Sequence, residues 1–232
     1  NKTSQRGLIQ HYTTIADAVD IPMILYNVPG RTGLNISVDT VVELAKHKNI
    51  QAMKDATDNI AYAMEVLAKT ADLDFDLYSG CDDNILPFMA AGGKGVISVT
   101  SNLYPEAVEK LTQLILKGNI KEAQPLAYAL DPISRLLFID VNPIMPKAAL
   151  AKMGVCGEHL RLPLIETTEE NKKAYDLQQA QRKLERTIRK WKIQKNGYKE
   201  AMDKAEDDET REALDAQYQK AKEKVAYYNK KY

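Results

Sequence analysis

Four short apolar runs, IPMILYN (21–27), NIQAMKD (49–55), DFDLYSG (74–80) and KGVISVT (94–100), punctuate the first half of the chain. Between them lie SVDTVVELAKH (37–47), NIAYAMEVLAKT (59–70) and DDNILPFMAAG (82–92), whose apolar residues recur every three or four positions. Runs of that length read as buried strands and the spacing of three and four as helices. Asp39, Asn59 and Asp83, or their neighbours, are placed to cap those helices, and Gly92 to end one. Strand and helix in strict alternation predict βαβ units and a parallel sheet. Three further helices are predicted beyond the fourth run, over 105–119, 121–137 and 146–154.

In such folds the chemistry gathers at the carboxyl ends of the strands. The first exit offers Tyr26, Asn27 and, in the turn, Arg31. The second offers Lys54 and Asp55, the third Ser79 and Gly80, the fourth Ser98 and Thr100. Lys54 ends a mostly apolar strand, where an ammonium is poorly solvated and burial favours the uncharged amine. An uncharged amine attacks a carbonyl to give a Schiff base, which then serves as an electron sink. Tyr26 is placed to move the protons of that reaction, and Arg31 to clamp a carboxylate with its planar fork. The pattern alone leaves a second reading open, in which Lys54 reaches solvent, Tyr26 is core and Arg31 sits in a solvated turn.

The same residues carry a resemblance. YNVPGRTG (26–33), NIQAMKDATDN (49–59), SGCDDNILPFMAAGGKGVISVTSN (79–102) and NPIMPKAALAKMG (142–154) resemble the dihydrodipicolinate synthase family, in order and at matching spacing. The similarity runs from residue 1 to about 168, within the wider group of pyruvate-dependent class I aldolases. Arg31 and the NPI-P-KAAL segment favour the synthase over N-acetylneuraminate lyase. The resemblance implies the C-terminal half of a (βα)8 TIM barrel, four parallel strands plus C-terminal helices. It implies a lyase of lysine biosynthesis that condenses pyruvate with aspartate semialdehyde in the cytoplasm. Lys54 would form the Schiff base with pyruvate, Tyr26 would relay protons, and Arg31 would bind the semialdehyde's carboxylate. Main-chain groups at Gly80 and Ile97 would line the pyruvate pocket. No metal and no organic cofactor would be needed, and a homo-oligomer would be expected. The family's relay threonine, its pyruvate-carboxylate threonine, an interface tyrosine and the lysine-feedback site would all lie upstream of this sequence. An open half-barrel exposes two sheet edges, so weak activity or none is expected of it in isolation.

Composition supports a boundary near residue 171. Ten of eleven glycines and all nine prolines precede it. The zero net charge is the sum of −6 over residues 1–170 and +6 over 171–232. We therefore read 1–170 as the partial barrel and 171–232 as a basic helical hairpin. Leu177, Leu184, Ile188, Trp191, Tyr198, Met202 and Ala205 fit the alternating three-four seam of paired helices, and Leu214, Tyr218, Ala221, Val225, Tyr228 and Tyr232 continue it. A first arm of about 29 residues would be about 43 Å long, and Gly197 is placed to bend it. The acidic cluster from Glu206 to Glu209 suits a turn and a helix start.

Between Arg182 and Lys195 seven basic residues face one acidic residue. That run fits an acidic partner or nucleic acid; sparse aromatic residues there favour a solvated coiled-coil face. The tail is also similar, in one stretch, to tailed-phage minor capsid proteins. The alternative function is therefore a structural or interaction protein acting through the hairpin.

Other signals are weaker. GGKG (92–95) precedes its strand, whereas phosphate loops follow one. His11, His47 and His159 have no metal-ligand spacing. Cys81 and Cys156 are too few for a disulfide framework. No apolar run approaches the length of about 20 residues that a membrane helix needs.

Overall fold

The computed structural model describes residues 2–205 and 207–230; the side chains of 177, 180–189, 191–192, 208–209 and 227–230 lie outside what it describes. Two compact units divide between Thr168 and Glu169.

The first unit opens on helix α1 (Gln5–Ala18), which is not among the predicted elements. The side chain of Ser4 caps it by accepting from the Gly7 N–H at 3.1 Å. Strand β1 (Met23–Asn27) follows, then the single turn α2 (Pro29–Thr32), α3 (Val38–Ala45), β2 (Ile50–Asp55) and α4 (Ile60–Lys69). Strand β3 (Asp76–Ser79) leads through a tight turn to α5 (Ile85–Ala90) and the two-residue β4 (Gly95–Val96). Three helices complete the unit: α6 (Pro105–Leu116), α7 (Ile120–Leu136) and α8 (Ile144–Lys152). Ser37, a neighbour of Asp39, and Asn59 cap α3 and α4 through their side-chain oxygens; α5 has no side-chain cap.

All four strands are parallel and stand in the order β1-β2-β3-β4. This is the arrangement of four consecutive units of a (βα)8 barrel, with β1 and β4 as edges among the described residues. Predicted strands 1 and 2 match within two residues, but the fourth contracts from seven residues to two. Residues beyond Val96 leave the ladder for a 3₁₀ turn at Thr100–Asn102, so Ser98 and Thr100 sit in a loop.

Side chains alternate across each strand. Leu25, Met53 and Leu77 face outward onto Leu8, Val41, Leu44, Val66 and Phe88 to form one core. A second core joins Ile85 and Met89 to Val108, Leu111, Ile115 and Leu130. Leu77, 1% exposed, tests the first of these. Leu77→Ala should cost about 2–5 kcal/mol, read by tyrosine near-ultraviolet dichroism in urea. Fluorescence would miss it, because the single tryptophan, Trp191, belongs to the second unit.

The second unit is an αα-hairpin, α9 (Glu169–Lys204) packed on α10 (Asp208–Lys230). Its first arm is 36 residues, longer than expected, and runs unbroken through Gly197. The Asp207 carboxylate caps α10 by accepting from the Thr210 N–H at 2.6 Å. Of the seam, Tyr198, Met202, Ala205, Leu214, Tyr218 and Val225 are half-buried and Ala221 fully buried. Leu177, Leu184, Ile188, Trp191, Tyr228 and Tyr232 fall outside the described side chains, as does the basic run except Lys190 and Lys195. Among the described residues, no helix is long and apolar enough to cross a membrane.

Candidate active site

Register places the chemistry. Tyr26 pairs with Lys54, Lys54 with Tyr78 and Tyr78 with Gly95, so one row crosses the sheet near its carboxyl end. Period-two alternation turns Tyr26 and Lys54 to the face opposite Leu25 and Met53. There the Lys54 Nζ stands 4.4 Å from the centroid of the Tyr26 ring. Such a cation–π contact is worth only about 0.5–1 kcal/mol at an accessible site, so it orients the amine without locking it. Lys54 is half-buried and Tyr26 is 45% exposed.

Both residues line a cavity of about 900 Å³, together with Arg31, Gly80, Asp82 and Asn142. Arg31 comes from α2, immediately after β1, and its Nη2 donates to the Asn142 carbonyl at 3.1 Å. That contact ties the β1 exit to the loop after α7 and, among the described residues, occupies one of the five guanidinium N–H groups, leaving the others available to an anion. Gly80 donates its N–H to the Asp55 carbonyl at 2.7 Å. A Cβ at Gly80 would lie 3.0 Å from the Lys54 Cε and 2.8 Å from the Ala56 Cβ, so only glycine gives the lysine this room. Ile97 is not among the residues lining the cavity; its N–H is engaged with the Ser79 carbonyl at 2.8 Å. Four of the five expected site residues therefore share one hollow.

The structure adds Asp82, Ser134 and Arg135, which the sequence did not single out. Asp82, 7% exposed, accepts from the N–H groups of Val99 and Thr100 at 2.9 and 3.0 Å, pinning the loop after β4. Its other oxygen, Oδ1, is buried without a hydrogen-bond partner. The Thr100 hydroxyl meets the Ser134 hydroxyl of α7 at 3.0 Å. Arg135, also on the cavity wall, is held by both carboxylate oxygens of Asp131 at 3.0 Å. The SGCDDN motif announced acidic residues here, but nothing local told which would turn inward. Cys81 is half-buried, and burial, reinforced by the Asp58 charge, pushes its thiol up to about 11. A thiol so protonated is a poor nucleophile at neutral pH.

Residues 1–181 match the model of the dihydrodipicolinate synthetase family. The chain is similar to the 4-hydroxy-tetrahydrodipicolinate synthase of Geobacter sulfurreducens, with 50% identity over 172 residues, covering 74% of this chain and 59% of that protein. Among solved structures it resembles the dihydrodipicolinate synthase of Thermotoga maritima, with TM-score 0.76 and 36% identity, covering 78% of this chain and 63% of that one. It also resembles the chloride-inhibited dihydrodipicolinate synthase of Acinetobacter baumannii complexed with pyruvate, again with TM-score 0.76 and 36% identity, covering 78% and 62%. The chain thus spans about three-fifths of the length of the relatives it matches. A parallel half-barrel with a lysine, a tyrosine and an arginine around one hollow, matched by that model over most of its length, belongs to the dihydrodipicolinate synthetase family.

Proposed function

We propose that the first unit carries the Schiff-base chemistry of a 4-hydroxy-tetrahydrodipicolinate synthase, a lyase that joins pyruvate to aspartate semialdehyde. The observation that carries this reading is the Lys54 amine poised over Tyr26 in a cavity it shares with Arg31 and Gly80. Lys54 Nζ, once deprotonated, adds to the keto carbon of pyruvate, and loss of water from the carbinolamine leaves an imine. Loss of a methyl proton gives an enamine, whose carbon attacks the aldehyde of the second substrate. Tyr26 is the group beside the amine that can give and take those protons. Arg31 holds the carboxylate of the semialdehyde through its free N–H groups. The electron sink is the imine itself, so the reading asks for no metal or organic cofactor. We place the protein in the cytoplasm and expect self-association, as the resemblance to the family implies.

The chain spans about three-fifths of its relatives' length, and trapping at Lys54 needs only the first half of the reaction, not a full turnover with the second substrate. Covalent trapping is therefore the sharper test. Incubation with pyruvate and sodium cyanoborohydride should add one carboxyethyl group to Lys54, located by peptide mass mapping. Saturating pyruvate with no adduct on Lys54 would remove the reading.

A further inference from the structure

Behind the Tyr26–Lys54 row stands a second one that the Schiff-base chemistry does not use. Asn27, Asp55 and Ser79 each follow a residue of the first row, point to the helical face, and are 1%, 3% and 1% exposed. Asp55 Oδ1 accepts from the Thr57 N–H at 3.3 Å and Oδ2 from the Thr57 hydroxyl at 3.0 Å. The Asn27 amide nitrogen reaches Asp55 Oδ1 at 3.5 Å and donates to Asn35 Oδ1 at 2.8 Å and to the Tyr62 hydroxyl at 3.1 Å. Tyr62, from α4, in turn donates to the Ile36 carbonyl at 2.7 Å. Main-chain bonds run alongside, from Ala56 N–H to the Asn27 carbonyl and from Gly80 N–H to the Asp55 carbonyl. One buried polar network therefore ties the exits of β1, β2 and β3 directly beneath the reacting pair.

We propose that Asp55, gripped by Thr57 and Asn27 and backed by Tyr62, is a positioning residue that fixes where Lys54 stands over Tyr26. Its catalytic meaning rests on the Schiff-base reading; its geometric meaning does not. Burial pushes the Asp55 carboxyl up to about 6, and the hydrogen bonds from Thr57 and Asn27 hold it from rising further. The titratable groups facing it are Tyr62 from α4, itself held above its usual range by burial and then by the Asp55 charge, and, lining one small hollow with it, Asp58 from the loop after β2 and Cys81 from the turn after β3; β1 offers only neutral Asn27. Because the folded value lies above the ordinary 3.8, the carboxyl's contribution to stability is complete below about pH 4 and is lost as pH rises through about 6. Above that point the fold holds a carboxylate at a cost that asparagine would avoid. A side chain that served packing alone gains nothing from this, whereas a charge-assisted grip on three donors sharpens position.

The test uses the full chain, Asp55→Asn and Tyr62→Phe, between about pH 5 and pH 8. Two rates are followed at Lys54 by peptide mapping: pyruvate trapping, and acetylation by a small amine-directed reagent without pyruvate. The ratio of wild type to Asp55→Asn cancels the intrinsic titration of lysine. For trapping it should rise about tenfold through pH 6, as expected for a displacement of a fraction of an ångström. The acetylation ratio should turn at the same pH. Tyr62→Phe, which keeps the ring, should slow trapping at every pH. Flat ratios for both reagents, or a Tyr62→Phe protein that traps like wild type, would overturn the proposal. A pH-dependent acetylation ratio with no pyruvate adduct in any protein would leave Asp55 as the positioning group and remove the Schiff-base reading instead.

Discussion

Lys54→Met is expected to abolish pyruvate trapping at the site while leaving the unit folded. Methionine keeps the unbranched stem that passes Gly80 and lies over the Tyr26 ring, and its sulfur makes favourable contacts with an aromatic face. What it removes is the one lysine amine that, among the described residues, lines the cavity and could form the imine there. The loss is therefore all or none, unlike the change at a group that assists. Tyr26→Phe preserves the ring beneath the amine and removes only the hydroxyl, so trapping should slow by about 10²–10⁴-fold, the usual worth of a positioned proton donor and acceptor. Circular dichroism should be unchanged in both proteins. The outcome that defeats this account is a Lys54→Met protein that incorporates pyruvate, at any lysine, as fast as wild type.

The face of the sheet on which these residues lie was legible in the sequence. Alternation fixes that Tyr26 and Lys54 point one way and Leu25 and Met53 the other, and equal position in consecutive βα units brings the two polar residues into register. Short, strongly apolar β1 and β2 were legible for the same reason. The fourth run was not, because KGVISVT is as apolar as a strand while its last residues obey a long-range constraint. Asp82 accepts from the N–H groups of Val99 and Thr100 and draws that backbone out of the ladder. Helix α1 was missed because its apolar residues, Leu8, Tyr12 and Ala16 among them, are diluted by seven polar ones. In the hairpin the seam begins at Leu177, yet α9 begins at Glu169. Helix propagates through polar residues once nucleated, and Glu169 and Glu170 favour the N-terminal end of its dipole. Asp55 shows the remaining limit. Its neighbour in sequence revealed its face, but that the face is sealed by Tyr62 of α4 is a tertiary fact with no local signal.

Gly80→Ala should be nearly as damaging as the loss of the lysine's partner, although Gly80 has no side chain to contribute. The new Cβ would lie 2.8 Å from the Ala56 Cβ, 3.0 Å from the Asp55 carbonyl oxygen and 3.0 Å from the Lys54 Cε. The first two belong to the β2 exit, which hydrogen bonds from Gly80 and Thr57 hold in place. The third is the far end of a flexible side chain, so the lysine yields first and leaves its place over Tyr26. A shift of about 1 Å at a reacting atom costs about 100-fold in rate, and residual overpacking about 1–3 kcal/mol in stability. Trapping should therefore fall by two orders of magnitude while urea denaturation moves only modestly. If trapping instead fell no further than the share of unfolded protein explains, the close approach of Gly80 to Lys54 would be a matter of packing alone.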